Sequence, residues 1–436
     1  MKSARRRSRS SIVRILSPFR DFLATEASGA ILLAVGAIAA LAWANSPFSG
    51  SYNDVWESRA AITVAGHTLD LDLRHWINDG LMTIFFLVVG LEIKRELTDG
   101  HLSSLRASLL PAIAALGGML VPAAVYLGIA GASAPRGWAV PMATDIALAV
   151  GVVALAGSRI PGSLRAFLLG LAIVDDIAAI IIIAAVYSTG VALGWLSAAA
   201  MALVVTFAMR WFGVSSTWAY IVIGGFLWFG LHEAGLHPTI AGVVMGLLAP
   251  STPRLSRDLI DSEQLIDLSD ADAARETSDL ARSSVSVVEW LQHVLHPWTS
   301  YVIVPIFALA NIGIEISGQG LRDAARSPIT WGVFFGLIVG KPLGVVIAAR
   351  LAIRTGLADA PERSSTRQMI GIGTAAGIGF TVAIFIAELA FTDPVDQNNA
   401  KLAIVGASVL AVAISATILT AGPSSRRNSA GANIGE

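Results

Sequence analysis

The chain has 436 residues, of which 55% are hydrophobic and 14% are charged. Ordinary soluble domains carry roughly 25% charged residues, so the composition predicts a polytopic membrane protein of the all-α class. The net charge is −1 and cysteine is absent, which excludes disulfides, thiolate metal sites and thiol catalysis. We expect no enzyme activity, no resident cofactor and no nucleic-acid partner.

The N-terminal segment, residues 1–28, is basic and predicted to be cytoplasmic. Seven Lys and Arg residues precede the first apolar stretch. A cleaved signal peptide is the alternative, because Ala42-Trp43-Ala44 resembles a small-residue cleavage site. The basic leader is long for a signal peptide, and a first membrane-spanning helix explains the same residues, so we favour the helix.

Twelve apolar stretches follow, some of them shorter than the ~20 residues that a straight crossing of the lipid bilayer needs. If the N-terminus is cytoplasmic, 23 Lys and Arg residues lie on the cytoplasmic side and six lie outside, with only Lys341 inside a span. This positive-inside bias predicts about twelve transmembrane helices, surrounded by membrane lipid, with both termini in the cytoplasm. The stretches lie near residues 29–45, 78–93, 107–131, 138–157, 166–187, 191–209, 217–231, 238–250, 298–316, 329–349, 369–391 and 401–421.

Two longer hydrophilic segments interrupt the series of spans. Residues 46–76, predicted to be extracytoplasmic, contain two alternating runs on either side of Ala65-Gly66, which predict an exposed β-hairpin. Residues 251–288 are charged and predicted to form a cytoplasmic linker. The resulting organisation has spans I–VIII in residues 29–250, spans IX–XII in residues 289–421, and a cytoplasmic tail in residues 422–436.

Two of the predicted spans are interrupted. Pro141 breaks the fourth span near Thr144 and Asp145, and the eleventh span contains four glycines from Gly371 to Gly379. If successive spans cross the membrane in alternate directions from a cytoplasmic N-terminus, span three runs outward and span ten runs inward. Spans three to five and spans ten to twelve are then two triplets of opposite topology, and the middle span of each triplet is interrupted. Inverted repeats of this kind place an ion site near the membrane midplane. Ordinary helix packing is the alternative explanation for the glycines of the eleventh span alone.

Four ionisable residues lie deep in the predicted spans: Asp145, Asp175, Asp176 and Lys341. Each carboxylate at that depth costs roughly 2.5–3.5 kcal/mol by insertion scales, so a functional role is the default expectation. Asp175 and Asp176 point ~100° apart on a helix, so one can face a water-filled cavity while the other meets Lys341 or Asp145. A buried ion pair that fixes helix register is the alternative, but it leaves two carboxylates unmatched.

These residues suit the exchange of a small hard cation for protons. Na⁺ and Li⁺ prefer oxygen ligands, which Asp176, Asp175, Asp145 and the Thr144 hydroxyl could supply. A carboxylate beside another carboxylate in a low-dielectric site takes up a proton readily when the cation leaves. Because the same groups bind either ion but never both, the two fluxes are coupled. Exchange of two protons for one monovalent cation would be electrogenic.

Five short runs along the chain carry a family resemblance, and they are Phe86–Leu97, Ala143–Ala147, Ile173–Asp176, Gly340–Gly344 and Gly377–Thr381. In this order they resemble the NhaA family of bacterial Na⁺/H⁺ antiporters, over about residues 18 to 420. The resemblance implies a twelve-helix fold in the bacterial cytoplasmic membrane, with a six-helix core and a homodimer formed through the hairpin of residues 46–76. It implies pH-regulated export of Na⁺ or Li⁺ in exchange for H⁺, which serves pH and salt homeostasis.

The resemblance also implies a role for each deep residue. Asp176 would be the principal ligand for the cation and for the proton, with Asp175 as its neighbour, paired with Lys341 in part of the cycle. Asp145 would balance the charge of the helix N-termini that meet at the crossing of the interrupted spans. Lys341 would balance the C-termini in the same way.

A further group of residues would regulate the response to pH. Glu92, Arg95 and Glu96 match the cytoplasmic pH-sensing cluster of the family, and His237 matches a histidine that tunes the pH profile. The chain departs from the family at Gln292, where the pattern carries an acid. Because Gln cannot titrate, we expect a shifted or differently built pH threshold.

His293 and His296 follow Gln292 and lie one helical turn apart. We predict that both histidines contribute to pH regulation. A metal site is the alternative, but the sequence offers no third ligand beside them.

Two other functions also need deep carboxylates. An intramembrane aspartyl protease uses two membrane aspartates, but its Gly-x-Gly-Asp signature is absent and it needs no counterpart of Lys341. A cation channel would carry flux without a proton gradient or counter-movement. We favour the antiporter because it accounts for the carboxylates and the interrupted spans together.

Overall fold

The structure is a computed structural model that describes residues 26–421, except for 65–66, 99, 101–104, 189, 191, 215, 252–285 and 363. The basic segment before residue 26, nearly all of the predicted linker and the tail therefore lie outside the described residues. The described part of the chain is mainly helical, which agrees with the predicted class.

The helices of the described residues are numbered here in chain order. A 3₁₀ segment, Pro135–Met142, precedes α5. The helices are α1 (Glu26–Ala44), α2 (Ser49–Trp56), α3 (Leu73–Thr98), α4 (Leu105–Ala130), α5 (Ile146–Leu155), α6 (Gly162–Val186), α7 (Leu193–Trp211), α8 (Thr217–Glu233), α9 (Thr239–Leu248), α10 (Val287–Asn311), α11 (Gly318–Arg326), α12 (Pro328–Arg354), α13 (Thr366–Ala376), α14 (Phe380–Ala390) and α15 (Pro394–Thr420).

The predicted β-hairpin is confirmed between α2 and α3. Strand β1 (Arg59–Val64) pairs antiparallel with strand β2 (His67–Asp72), and the side chains of Arg59 and Asp70 form an exposed ion pair at 2.8 Å. Alternating polar and apolar residues favour such a two-stranded ribbon. The turn at Ala65-Gly66 lies outside the described residues.

Each of the twelve predicted apolar stretches overlaps a described helix, but the helices differ in length. Within the described residues, eight helices are long and apolar enough to cross a membrane, and ten if each of two bent pairs is one span. The pairs are α1 with α2, bent by 117°, and α13 with α14, bent by 43°. Helix α9 has only 10 residues, so at 1.5 Å per residue it is ~15 Å long, about half the hydrocarbon thickness. The chain is therefore a multi-pass membrane protein, while twelve crossings and inverted repeats stay predictions.

The described chain divides into two compact units, each made of segments that are distant in sequence. Among the described residues, the first unit is drawn from residues 26–50, 110–172 and 311–421, and the second from residues 51–109, 173–251 and 286–310. Helix α6 begins in the first unit and ends in the second.

Within the first unit, helices α4 and α12 approach each other through glycine. A Cβ atom added to Gly344 would lie 2.1 Å from the carbonyl oxygen of Gly117, and one added to Gly117 would lie 2.4 Å from the carbonyl oxygen of Gly344. No side chain fits between these backbones. Small residues at such contacts allow the close van der Waals packing that holds membrane helices together.

We expect Gly117→Ala to destabilise the protein. The new methyl group would meet the Ala348 methyl group and the Gly344 carbonyl oxygen, neither of which can rotate away. Overpacking of this kind costs roughly 1–3 kcal/mol. The matched control is Gly128→Ala on the same helix, where a Cβ atom would meet nothing within 4 Å. Thermal unfolding in detergent should show a lower midpoint for Gly117→Ala and an unchanged or higher midpoint for Gly128→Ala. Equal midpoints for the two variants would contradict the close contact.

Within the second unit, the short helix α9 packs directly on α3. A Cβ atom on Gly242 would lie 2.1 Å from the carbonyl oxygen of Thr83, and one on Gly246 would lie 2.6 Å from that of Leu87. Gly242 and Gly246 are four residues apart and form a Gly-x-x-x-Gly motif, which lets two helix backbones touch. This contact explains how a helix of ten residues keeps a fixed place.

Three of the long helices contain π-helical turns. These turns are Trp76–Leu81 in α3, Thr299–Ile303 in α10 and Gly336–Gly340 in α12. Each widened turn changes the hydrogen-bond partners of nearby carbonyl groups, and such turns are frequent at functional sites. The turn in α12 ends immediately before Lys341.

Candidate functional site

The first unit contains both predicted interruptions. The 3₁₀ segment ends at Met142, Ala143 is extended, and α5 begins after Asp145, so the prediction of a break near Pro141 is confirmed. The eleventh stretch breaks between α13 and α14, at Gly377–Gly379. Glycine is required there, because a Cβ atom on Gly377 would lie 2.6 Å from the carbonyl oxygen of Leu337.

Asp145 caps the start of two helices at once. Its Oδ1 accepts a hydrogen bond from the backbone N–H of Leu148 in α5, at 3.1 Å. Its Oδ2 accepts from the N–H and the hydroxyl of Thr381 in α14, at 3.1 and 2.6 Å. Only 2% of Asp145 is exposed. Asp145 is therefore a buried acid between two helix N-termini, where a negative charge is favourable.

Hydrogen bonds also run from donors in the fourth span to carbonyl groups of the eleventh span. The Thr144 hydroxyl donates a hydrogen bond to the carbonyl oxygen of Ala376 at 2.8 Å. The backbone N–H of Asp145 donates a hydrogen bond to the carbonyl oxygen of Ile378 at 2.6 Å. These carbonyl groups stand at the C-terminal end of α13, where helix carbonyls lack internal partners. The crossing therefore satisfies backbone groups that would otherwise be costly to bury.

Lys341 lies in the same unit and is fully buried, with 0% exposure. Its Nζ donates to the carbonyl oxygen of Met142, the last residue of the 3₁₀ segment. A Cβ atom on Gly118 would lie 3.6 Å from Lys341 Cε, an ordinary van der Waals distance, so the lysine stem packs on α4 at this glycine. Lys341 Nζ thus meets a carbonyl group at the C-terminal end of the 3₁₀ segment, where a cation is favourable.

Asp175 and Asp176 lie in the middle of α6 and are 2% and 5% exposed. As neighbours on a helix they point ~100° apart. They belong to the second unit, whereas Asp145, Thr144 and Lys341 belong to the first. The pairing of the aspartates with Lys341 or Asp145 therefore stays a prediction.

The residues predicted to regulate pH response divide into two groups within the second unit. Arg95, near the end of α3, donates from Nη1 to Gln292 Oε1 of α10 at 3.5 Å, which is long for a hydrogen bond. Glu92 and Glu96 lie on the same last turns of α3 as Arg95. Gln292, which stands where the family pattern has an acid, thus lies directly beside the predicted pH-sensing cluster.

The predicted histidines have different surroundings. His293 and His296 are exposed on α10. No cluster of three or more His, Cys, Asp or Glu side chains suited to a metal ion occurs among the described residues. His237 lies in the turn between α8 and α9, where its Nε2 donates to the carbonyl oxygen of Tyr187 at 3.1 Å. Burial lowers the pKa of His237, which opposes its protonation.

One buried ion pair escaped the sequence analysis. Glu388 of α14 and Lys401 of α15 form a salt bridge in the first unit, and their side chains are only 14% and 8% exposed. Lys401 is one of the six Lys and Arg residues that the charge distribution places on the extracytoplasmic side. The signal in the sequence was Glu388 itself, a carboxylate within an apolar stretch.

Comparison with known proteins identifies the family. The sequence model described as Na⁺/H⁺ antiporter 1 matches residues 20–419. The Na(+)/H(+) antiporter NhaA 2 of Myxococcus xanthus (strain DK1622) is 47% identical over 91% of this chain and 87% of that protein. The Na(+)/H(+) antiporter NhaA of Cupriavidus necator is 44% identical over 92% of this chain and 89% of that protein.

Among solved structures, the sodium proton antiporter MjNhaP1 from Methanocaldococcus jannaschii covers 94% of each chain, at 15% identity and a TM-score of 0.48. That likeness is too distant to support an inference about this chain. The sequence matches are sufficient by themselves, and they confirm the resemblance that the five short runs indicated. The chain belongs to the Na⁺/H⁺ antiporter 1 family, which is a family of transporters and not of enzymes.

Proposed function

We propose that this protein is a secondary transporter of the bacterial cytoplasmic membrane that exports Na⁺ in exchange for H⁺. Membership of the Na⁺/H⁺ antiporter 1 family is the observation that carries the proposal. The names of relatives at 42–47% identity support the same pair of ions. Two adjacent buried carboxylates in an apolar helix, Asp175 and Asp176, supply the chemistry that such exchange needs.

Asp176 is the principal site of exchange in this proposal, with Asp175 as its neighbour. When the site faces the cytoplasm, the carboxylic acid releases its proton and the carboxylate binds Na⁺ or Li⁺ through oxygen. After the site has opened to the other side, a proton displaces the cation. Because one site cannot hold both ions, each movement of Na⁺ requires an opposite movement of H⁺. Asp175 and Asp176 each release a proton when one cation binds, so two protons move for each cation and the exchange is electrogenic.

The residues of the first unit have a supporting role in the proposal. Both carboxylate oxygens of Asp145 accept hydrogen bonds, and the Thr144 hydroxyl donates to a backbone carbonyl. These groups therefore hold the crossing of the interrupted spans more readily than they bind the cation. Lys341 adds the compensating positive charge at Met142.

Regulation and assembly complete the proposal. Glu92, Arg95 and Glu96, with His293 and His296 on the neighbouring helix α10, form the pH-responsive region, and the contact between Arg95 and Gln292 supports this grouping. His237 adjusts the pH profile from the turn before α9. The protein forms a homodimer through the hairpin of residues 46–76, and both termini are cytoplasmic.

The test uses everted membrane vesicles that contain the protein and a fluorescent dye that reports ΔpH. Adding Na⁺ should dissipate the proton gradient, and the rate should rise from acid to alkaline pH, because protons and Na⁺ compete for one site. Li⁺ and K⁺ are added in parallel to establish the cation preference, and vesicles without the protein are the control. A rate that is flat across pH would contradict competition at a single site. The absence of any response to Na⁺ would contradict the function.

A further inference from the structure

A second group of titratable and aromatic side chains lies within the second unit, apart from every residue assigned to ion exchange. It connects the beginning of α3 with the end of α8. Its members are Trp76 and Asp79 of α3, and Trp228 and His232 of α8.

Three rings of this group form one continuous stack. The ring centroids of Trp76 and Trp228 are 6.1 Å apart with planes 14° from parallel. Those of Trp228 and His232 are 5.8 Å apart with planes 7° from parallel. Trp228 and His232 are four residues apart, so they lie on the same face of α8. The imidazole of His232 and the indole of Trp228 thus form an offset parallel stack.

The π-helical turn of α3 fixes this arrangement. The Asp79 carbonyl oxygen lies within that turn and accepts hydrogen bonds from the indole N–H of Trp228 at 2.9 Å and from the Thr83 hydroxyl. The indole N–H of Trp76 donates to the carbonyl oxygen of Ala60 in β1 at 2.9 Å. Both tryptophan rings are therefore held by hydrogen bonds as well as by stacking, and Trp76 ties the stack to the hairpin.

His232 also faces a carboxylate. Its Nδ1 lies 4.0 Å from Asp79 Oδ2, and the side chains of His232 and Asp79 are 25% and 17% exposed. Two further titratable groups act on Asp79, namely Asp72 and His75. They are bonded to each other at 2.7 Å, so their charges largely offset one another when His75 is protonated.

We propose that His232 and Asp79 form a second proton-binding site, independent of the exchange site at Asp175 and Asp176. Histidine is the side chain that ordinarily gains or loses its proton between pH 5 and 8. A proton on His232 is stabilised on one side by the Asp79 carboxylate and on the other by the negative face of the Trp228 ring. Proton binding therefore strengthens the contact between α3 and α8. The predicted topology places this contact at the extracytoplasmic surface, so its ligand is the external proton.

The stack supplies its own optical signal, because a protonated imidazole quenches the fluorescence of an indole ring in contact with it. The experiment measures tryptophan emission of the purified full-length protein between pH 5 and 8. The chain has 11 tryptophans, so the signal is the difference between wild type and His232→Gln. The matched control is His75→Gln, which removes the exposed histidine that is paired with Asp72. Asp79→Asn tests the carboxylate without removing the stack.

We expect wild type and His75→Gln to show a reversible loss of emission on acidification, and His232→Gln to lack it. Asp79→Asn should move the midpoint to lower pH by about half a unit or more, because the imidazolium loses its carboxylate partner. Persistence of the full step in His232→Gln would overturn the proposal, as would loss of the step in His75→Gln alone. An unchanged midpoint in Asp79→Asn would remove Asp79 from the site. None of these readouts requires transport, so their failure is distinct from a failure of the Na⁺/H⁺ exchange function.

Discussion

Asp176→Asn should abolish Na⁺-dependent dissipation of ΔpH in everted vesicles. The amide has nearly the same shape as the carboxylate, so the helix α6 is preserved. In the proposed mechanism the carboxylate binds Na⁺ and carries the exchanged proton, and the amide can do neither. Interactions with a charged group are worth about 1.5–3 kcal/mol, which corresponds to roughly 10- to 150-fold in affinity, and the loss of the titrating group removes the coupling altogether.

The matched control for this variant is Asp70→Asn. The chemical change is identical, but Asp70 is exposed on the hairpin, where it pairs with Arg59. This variant should exchange Na⁺ at the wild-type rate. Retained exchange in Asp176→Asn, at equal protein in the membrane, would contradict the assignment of Asp176. Asp175→Asn in the same assay separates the roles of the two neighbours.

Asp145→Ala should produce the largest loss of stability among single substitutions at the crossing. The substitution removes the acceptor for three donors, which are the N–H of Leu148 and the N–H and hydroxyl of Thr381. Loss of a helix N-cap costs about 0.5–2 kcal/mol, and each buried donor without a partner costs about 1–3 kcal/mol. We therefore expect a loss of roughly 3 kcal/mol or more, seen as a fall of several degrees in the thermal unfolding midpoint in detergent.

Asp393→Ala is the control, because Asp393 is an exposed N-cap that accepts from Val395 at 2.8 Å at the start of α15. It should lower the midpoint only slightly, within the ordinary range for a cap. Asp145→Asn should fall between the two alanine variants. Its amide keeps one acceptor oxygen but turns a donor toward Leu148 or Thr381. If Asp145→Ala were no less stable than Asp393→Ala, the double-cap arrangement would be wrong.

The breaks in the two interrupted spans could be predicted because their causes are local. Pro141 removes a backbone donor, and Gly377 allows a backbone approach that a side chain would block. The partners across the crossing could not be predicted in the same way. That Thr381 donates to Asp145 depends on how α5 and α14 meet in space. The helix dipoles predict an acid at the N-termini and a cation at the C-termini of the crossing, but they do not predict which residues those groups contact.

Other features depend on tertiary packing and left little trace in the sequence. The close contact of Gly242 and Gly246 in α9 with α3 depends on how the two helices meet, so the hydropathy of residues 238–250 did not predict it. The π-helical turns at Trp76–Leu81 and Gly336–Gly340 were not predicted from the sequence. The Glu388–Lys401 pair joins two helices whose facing sides a single sequence does not reveal.

Uphill movement of Na⁺ in proteoliposomes tests the central claim most directly. Purified protein is reconstituted into vesicles with equal Na⁺ on both sides, the membrane potential is clamped at zero, and a pH gradient is imposed. Coupled exchange predicts that radioactive Na⁺ accumulates on the acidic side above its equilibrium level, and that the accumulation collapses when a protonophore removes the gradient. Simple equilibration of Na⁺, with no accumulation and no effect of the protonophore, would show a channel-like pathway and contradict antiport.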